Sequence, residues 1–286
     1  MANDVTDKPL QLCAIQMSSN TNVDDNIADI ELQLATLEPA QQQLVLLPEC
    51  CLFFGGQDKA QLSLAQENQK NHGLQKRLAK LALKYNVYLV AGSIPVLTEQ
   101  RDKFTNSCIV FSPQGVELGD YDKIHLFDVV VQDNGKNYCE SRYVKAGNRV
   151  SVVNVKGTNV GLTICYDLRF PELFRQLCHQ GAKIITVPSA FTRVTGTAHW
   201  QTLLQARAIE NQVYIIAAGQ EGVHENGRET WGHSMIISPW GEILAQRDTG
   251  KGIIFADYQE QELLNVRKAM PVATHNRFKN KLMSYE

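Results

Sequence analysis

Residues 87–118, VYLVAGSIPVLTEQRDKFTNSCIVFSPQGVEL, lie without a gap over residues 213–244, VYIIAAGQEGVHENGRETWGHSMIISPWGEIL. Each stretch opens on an apolar run (87–91 and 213–218) of strand character and closes on two apolar runs about a Ser-Pro-x-Gly turn. The paired runs, 104–111 with 116–121 and 233–238 with 242–246, predict hairpins. The flanks agree as well. VLLPECCLF upstream of the first copy resembles IITVPSAF upstream of the second, and a helical period precedes each V-Y strand, over 73–85 and 197–211. A repeat of this length is a duplicated strand–helix–strand–hairpin unit. Two such units pack as two sheets face to face with helices outside. The expected fold is therefore α/β, a four-layer αββα sandwich with internal pseudo-two-fold symmetry. The halves would share one core, so residues 1–286 are expected to form one domain, with a C-terminal tail from about 270.

The remaining elements follow from periodicity and breakers. Strands are predicted over 10–17, 43–47 (stopped by Pro48), 159–165, 183–187 (stopped by Pro188) and 252–257, and helices over 23–37, 171–180 and 259–269. The stretch 123–148, with QDNGKN and KAGN, has no clear period, and a connection of that length in a compact domain is usually functional.

Composition narrows the function classes. Apolar content of 44% and charge of 20% are globular values, and a net charge of −2 gives no polybasic face for nucleic acid. MANDVTDKPL lacks the apolar heart of a signal peptide, and no run is long enough to span a membrane. The seven cysteines are odd in number and form no C-x-x-C pair, which fits free thiols in a reducing, cytoplasmic setting rather than a disulfide frame or zinc site. No G-x-G-x-x-G follows a strand, and RDTGKG (247–252) lacks the leading Gly and the Ser/Thr of a phosphate loop.

Three short stretches carry chemistry. TNVGLTICYDLRFPELF (158–174) delivers Cys165 to the end of an apolar strand, with Pro171 and Glu172 suited to a helix's first turn. A strand–turn–helix junction of this kind exposes a nucleophile, although a lone cysteine is more often an inert core thiol, as Cys13 or Cys108 would be. LLPEC sets Glu49 just past a buried strand, where it is either a turned-in acid or a solvated one. YDKIHLFD sets Lys123 beside His125, as a fixed cation or an ordinary surface lysine.

Taken together these stretches resemble the nitrilase superfamily of carbon–nitrogen hydrolases, whose signature joins a glutamate after L-P, a lysine in Y-x-K-x-H, and a cysteine in C-Y-D-x-R-F-P-E. The resemblance runs from Leu12 to about Arg277. PSAFTRVTGTAHW (188–200), ARAIENQVY (206–214) and GHSMIISPWG (232–241) extend it. It implies catalysis by Glu49, Lys123 and Cys165, with Glu140 of YCES matching a second family glutamate that holds the lysine. The backbone N–H of Tyr166 joins Lys123 as an oxyanion donor. No metal or cofactor is implied. Within the superfamily the motifs are most similar to the branch of deaminated-glutathione amidases and omega-amidases, which cleave the distal amide of α-ketoglutaramate or of its cysteinylglycine derivative. The cysteinylglycine derivative is the favoured substrate, with omega-amidase action or a non-catalytic scaffold as alternatives. Arg169 is then the candidate anchor for a substrate carboxylate, or else an ion-pair partner of Asp167 or Glu172. Phe191 and Thr195 match substrate-contacting positions, Phe191 being equally suited to plain core. The resemblance further implies a homodimer or higher homo-oligomer, formed about the helix after Cys165 and the C-terminal region, with no nucleic-acid or membrane partner.

Overall fold

The structure is a computed structural model and describes residues 9–39, 41–130, 137–279 and 281–283. The first half runs β1 Gln11–Gln16, α1 Val23–Leu34, β2 Gln43–Leu46, α2 Asp58–Asn68, α3 Gly73–Tyr85, β3 Tyr88–Val90, β4 Ile94–Leu97, β5 Phe104–Phe111 and β6 Glu117–Asp122. Two short strands follow, β7 Asp128–Val130 and β8 Asn137–Cys139, then a 3-10 turn at Glu140–Arg142. The second half runs β9 Val152–Val155, β10 Thr158–Leu162, a 3-10 turn at Cys165–Arg169, α4 Pro171–His179, β11 Ile184–Ser189, α5 Arg193–Asn211 and β12 Tyr214–Gly219. It ends with β13 Glu221–Val223, β14 Glu229–Trp231, β15 Ser234–Ile237, β16 Ile243–Arg247, β17 Gly252–Asp257, α6 Glu260–Ala269 and α7 Val272–His275.

The duplicated lettering is matched by duplicated topology. One sheet has the order β17-β1-β2-β3-β5, with β6 and β4 also pairing β5; the other has the order β9-β10-β11-β12-β15-β16. In each sheet the middle three strands are parallel, and the hairpin closes one side antiparallel. Registers agree too: Leu44 stands opposite Tyr88 as Ile184 stands opposite Tyr214.

Side chains alternate as a sheet covered on both faces requires. Leu12, Ala14, Leu44 and Leu46 point into a core shared with the second sheet, while Cys13, Ile15, Val45 and Leu47 pack under Ile30 and Leu34 of α1 and Leu74, Leu78 and Leu81 of α3. On the far side, Leu173, Phe174 and Leu177 of α4 and Trp200, Leu204 and Ala208 of α5 cover the second sheet. Four layers result, helices outside two facing sheets. The apolar face of α4, a candidate for subunit contact, is buried within its own chain.

Several elements depart from the predicted ones. Pro188 does not stop its strand. The Thr186 carbonyl accepts from Thr163 N on the β10 side, so Pro188, two residues on, faces that same side beyond the last β10 pairing at Thr186, where its missing N–H costs nothing. The strand before Cys165 ends at Leu162, and the cysteine opens the 3-10 turn instead. Helix α5 starts at Arg193 rather than 197 because Thr192 caps it, its Oγ1 accepting from Thr195 N. Helix α2 escaped notice because its apolar stripe is weak, and the 123–148 stretch holds β7, β8 and a turn. Residues 132–136 of QDNGKN lie outside the described residues.

Candidate active site

The site forms where the parallel strands of both sheets run out, the usual ligand edge of such sheets. Beyond β2 the chain turns at Pro48 and carries the Glu49 carboxylate inward. Gly92 makes that turn possible: it sits at φ +53°, and a Cβ there would lie 1.9 Å from the Pro48 carbonyl oxygen. Cys50, itself at φ +54°, is pinned as its N–H donates to Ser93 Oγ (2.9 Å).

Glu49 is buried and fully engaged. Its Oε1 accepts from Lys123 Nζ (2.9 Å) and Asn106 Nδ2 (3.0 Å), and its Oε2 accepts from the Ala190 N–H (3.0 Å). Lys123, just past β6, is 2% exposed and also donates to Glu140 (2.9 and 3.2 Å). Glu140 opens the turn after β8, and its Oε2 accepts in addition from Phe127 N (2.7 Å). Asn106, from the middle of β5, also reaches Glu140 (3.3 Å), so one amide and one ammonium bridge both acids.

Cys165 joins them from the other half of the chain. Its backbone is left-handed (φ +49°), a strained state for a non-glycine residue. The thiol lies beside the Glu49 carboxylate and the backbone of Ala190, close enough for both to shift its charge state. Asp167, fully buried, holds this turn. Its Oδ2 accepts from Ile164 N (2.8 Å) and Tyr121 Oη (2.8 Å), and its Oδ1 from His125 N (3.2 Å), with His125 Nδ1 at 2.7 Å. The cysteine turn and the lysine segment are thus tied through one carboxylate. Arg207 of α5 braces the turn from behind, donating twice to the Leu168 carbonyl (3.1 and 2.9 Å).

The charges follow from this arrangement. Burial alone would push the Glu49 carboxyl up, but the Lys123 ammonium, with help from the thiol and Arg228, holds it below the usual carboxylate range. Burial works against the Lys123 ammonium; Glu140 and Glu49 outweigh it and raise its pKa well above that of a free lysine. Burial raises the Cys165 thiol, and the charge of Glu49 adds to this against the pull of Lys123. The resting group is therefore carboxylate, ammonium and neutral thiol: a base beside the thiol whose proton it would remove.

All eight residues singled out in the sequence line one cleft that opens to solvent: Glu49, Lys123, Glu140, Cys165, Tyr166, Arg169, Phe191 and Thr195. Arg169 makes no pair with Asp167, which faces inward. Its guanidinium lies over Phe191 (5.3 Å) and Tyr166 (5.9 Å), with Nη1 3.2 Å from His199 Nδ1. Phe191 is both wall and core, packing on Trp200 with centroids 4.8 Å apart. Thr195 Oγ1 meets Thr192 Oγ1 at 2.9 Å in the first turn of α5. Asn106, Arg228 and the Ala190 N–H were missed. Asn106 left a signal, a polar residue inside the apolar run FTNSCIVF; Arg228 sits among charged loop neighbours and left none.

Comparison with known proteins agrees with the geometry. Residues 11–268 match the family model described as carbon-nitrogen hydrolase. The chain belongs to the carbon–nitrogen hydrolase family, whose members hydrolyse carbon–nitrogen bonds in non-peptide amides. It is 40% identical over 277 residues to a deaminated glutathione amidase of Yersinia enterocolitica, covering 96% of each chain. It is 34% identical to an omega-amidase of Homo sapiens, covering 93% of this chain and 95% of that one. The crystal structure of Nit3 from Saccharomyces cerevisiae, described as a member of branch 10 of the nitrilase superfamily, superposes with a TM-score of 0.82 at 30% identity, over 95% of this chain and 97% of that one.

Proposed function

We propose that this chain is a cysteine amidase that hydrolyses deaminated glutathione to 2-oxoglutarate and cysteinylglycine. One observation carries the chemistry: a buried carboxylate, held ionised by Lys123, stands beside the thiol of a strained cysteine in a cleft with a guanidinium on its wall. Glu49 accepts the Cys165 proton as sulfur attacks the amide carbon. The amide oxygen becomes an oxyanion, stabilised by Lys123 and the Tyr166 N–H, each such donor contributing ~3–4 kcal/mol. Glu49 passes its proton to the departing nitrogen, the C–N bond breaks, and cysteinylglycine leaves an acyl thioester. Water, deprotonated by Glu49, adds to the thioester; the C–S bond breaks, the proton returns to sulfur, and the carboxylic acid departs. Glu140 keeps Lys123 charged and aimed. Arg169 takes the carboxylate of the 2-oxo acid end, with Phe191 and Thr195 lining the acyl pocket.

Omega-amidase action on α-ketoglutaramate is the second reading, favoured by the 34% identity to the human omega-amidase and by the acyl portion the two substrates share. Assaying cysteinylglycine release from deaminated glutathione beside ammonia release from α-ketoglutaramate separates them. Preference for the first amide in kcat/KM is the expected result, and preference for the second reverses the assignment. Turnover surviving in Cys165→Ala removes the thioester mechanism. A homodimer belongs to this proposal: Ile209 and Trp240 leave large apolar side chains exposed about the β15–β16 turn.

A further inference from the structure

Arg228 is the cation of the cleft to which the mechanism gives no contact with the substrate. It comes from the tip of the β13–β14 hairpin and lines the same cleft as Cys165. Its guanidinium is held between two aromatic rings, 5.1 Å from the centroid of Phe54 and 5.1 Å from that of Tyr138. Nη2 donates to the Ala190 carbonyl (2.7 Å), and Nε is buried with no hydrogen-bond partner. Among the described residues no carboxylate lies within ion-pair distance of it. Nε is closed off from solvent, so the donors left for an incoming group are Nη1, which has no hydrogen-bond partner among the described residues, and the second N–H of Nη2.

The charges of the cleft point the same way. Its lining carries two carboxylates, Glu49 and Glu140, against three cations, Lys123, Arg169 and Arg228. Lys123 is paired with both acids, and neither Arg169 nor Arg228 has an ion pair of its own among the described residues, although the charge of Arg228 reaches Glu49. They occupy different walls. Arg169 lies over Phe191 and Tyr166, on the turn after Cys165; Arg228 lies between Phe54 and Tyr138, at the loop that follows Glu49 and the strand that precedes Glu140. An amide with a single carboxylate can satisfy only one of them.

We propose that Arg228 is a specificity-determining residue that binds a second carboxylate, carried on the leaving-amine side of the scissile bond. The cleft then selects amides with a carboxylate on each side of the C–N bond: the acyl one on Arg169, the amine one on Arg228. This rests on the amidase reading above and says which amide the cleft prefers. The aromatic pair flanks the guanidinium, and its Nη1/Nη2 end, with Nη1 unpaired among the described residues, is left as the fork for a carboxylate.

The test compares kcat/KM for three amides sharing one acyl group: deaminated glutathione, the same compound with its glycine carboxyl converted to a carboxamide, and α-ketoglutaramate. In the wild-type chain, masking the glycine carboxylate lowers kcat/KM about 10–100-fold, the size expected for a charge-assisted bidentate contact. In Arg228→Gln the ratio of deaminated glutathione to α-ketoglutaramate falls by the same factor, and masking the carboxylate has little further effect. Arg169→Gln lowers all three together. Equal losses on all three substrates in Arg228→Gln would mean that Arg228 acts through Ala190 and Glu49 on the chemistry, and would overturn the proposal. So would a wild-type chain indifferent to masking, a result that needs no variant to fold. Wild-type turnover of none of the three amides overturns the amidase assignment itself, and this inference with it.

Discussion

Replacing Lys123 with methionine isolates the electrostatics of the site. The side chain is 2% exposed and bonds Glu49 at 2.9 Å and Glu140 at 2.9 Å. Without the ammonium, the buried Glu49 carboxylate is left facing that of half-buried Glu140, the two bridged only by the Asn106 amide. Breaking a buried pair on one side costs ~3–5 kcal/mol, on the order of 10 °C in midpoint for a chain of this size. The loss has a pH signature. In the wild type the Glu49 carboxyl is depressed, so its contribution is present above the unfolded carboxyl pKa of ~4.3 and disappears as pH falls through the folded value. In Lys123→Met the sign reverses. Burial and the charge of Glu140 raise the Glu49 carboxyl above its unfolded pKa, so it favours folding below ~4.3 and opposes it as pH rises. Urea denaturation of both proteins should give a stability gap of about 3–5 kcal/mol at pH 7.5 that shrinks to less than half by about pH 4.5. Adding Glu49→Gln and Glu140→Gln to the variant should recover most of it at neutral pH. A gap of equal size at both pH values, unmoved by the added substitutions, would show that Lys123 matters only as packing volume.

Two further outcomes follow from the geometry. Gly92→Ala forces a Cβ to within 1.9 Å of the Pro48 carbonyl at φ +53°, so the Glu49 turn must move. The variant should lose more than ~1 kcal/mol from the backbone conformation alone and lose kcat well before its fold, measured by turnover beside the near-ultraviolet circular dichroism. Second, burial raises the thiols of Cys13, Cys50, Cys51, Cys108, Cys165 and Cys178, those of Cys50 and Cys178 to about 12. Groups raised on folding stabilise fully below the unfolded thiol pKa of ~8.5 and cost stability as pH climbs above it, each by up to about 1.4 kcal/mol per pH unit. Unfolding free energy in reductant should therefore drop steeply between pH 8.5 and 10, with Cys108→Ala flattening the slope. A flat profile would refute this account.

The fold was legible because duplication leaves a long-range signal. Residues 87–118 and 213–244 match in strand order, and the two sheets share it. Glu49, Lys123 and Cys165 were legible for a different reason: each alone had an ordinary reading, and only LLPEC, YDKIHLFD and CYDLRFPELF together, through their resemblance to one family, marked them as a set. What stayed hidden depends on contacts between distant segments. Nothing local to Ala190 says that its N–H holds Glu49, and nothing in HENGRETW says that Arg228 crosses to the carbonyl of that same residue. The end of β11 at Ser189 rather than before Pro188 depends on β10 having already stopped, a property of the neighbouring strand.

The same duplication explains why the site is asymmetric. Sheet registers pair the halves position by position: Ala14 opposite Leu46 corresponds to Leu162 opposite Thr186. Carrying this forward, Cys165 corresponds to Met17, and Glu49 corresponds to Ser189. Met17 is buried and bridges to Gln220; Ser189 is buried with its Oγ turned to the Val187 carbonyl. Neither mate is an acid or a thiol. The base therefore comes from one repeat and the nucleophile from the other, and they meet only because the sheets are stacked with β1 against β12 and β15. The acid–thiol contact is thus a property of the sheet interface. Substitutions that shift one sheet over the other, such as at Gln220, whose amide Nε2 donates to the Glu49 carbonyl (3.0 Å) and to Ser19 Oγ (2.8 Å), act on the reaction without touching the cleft.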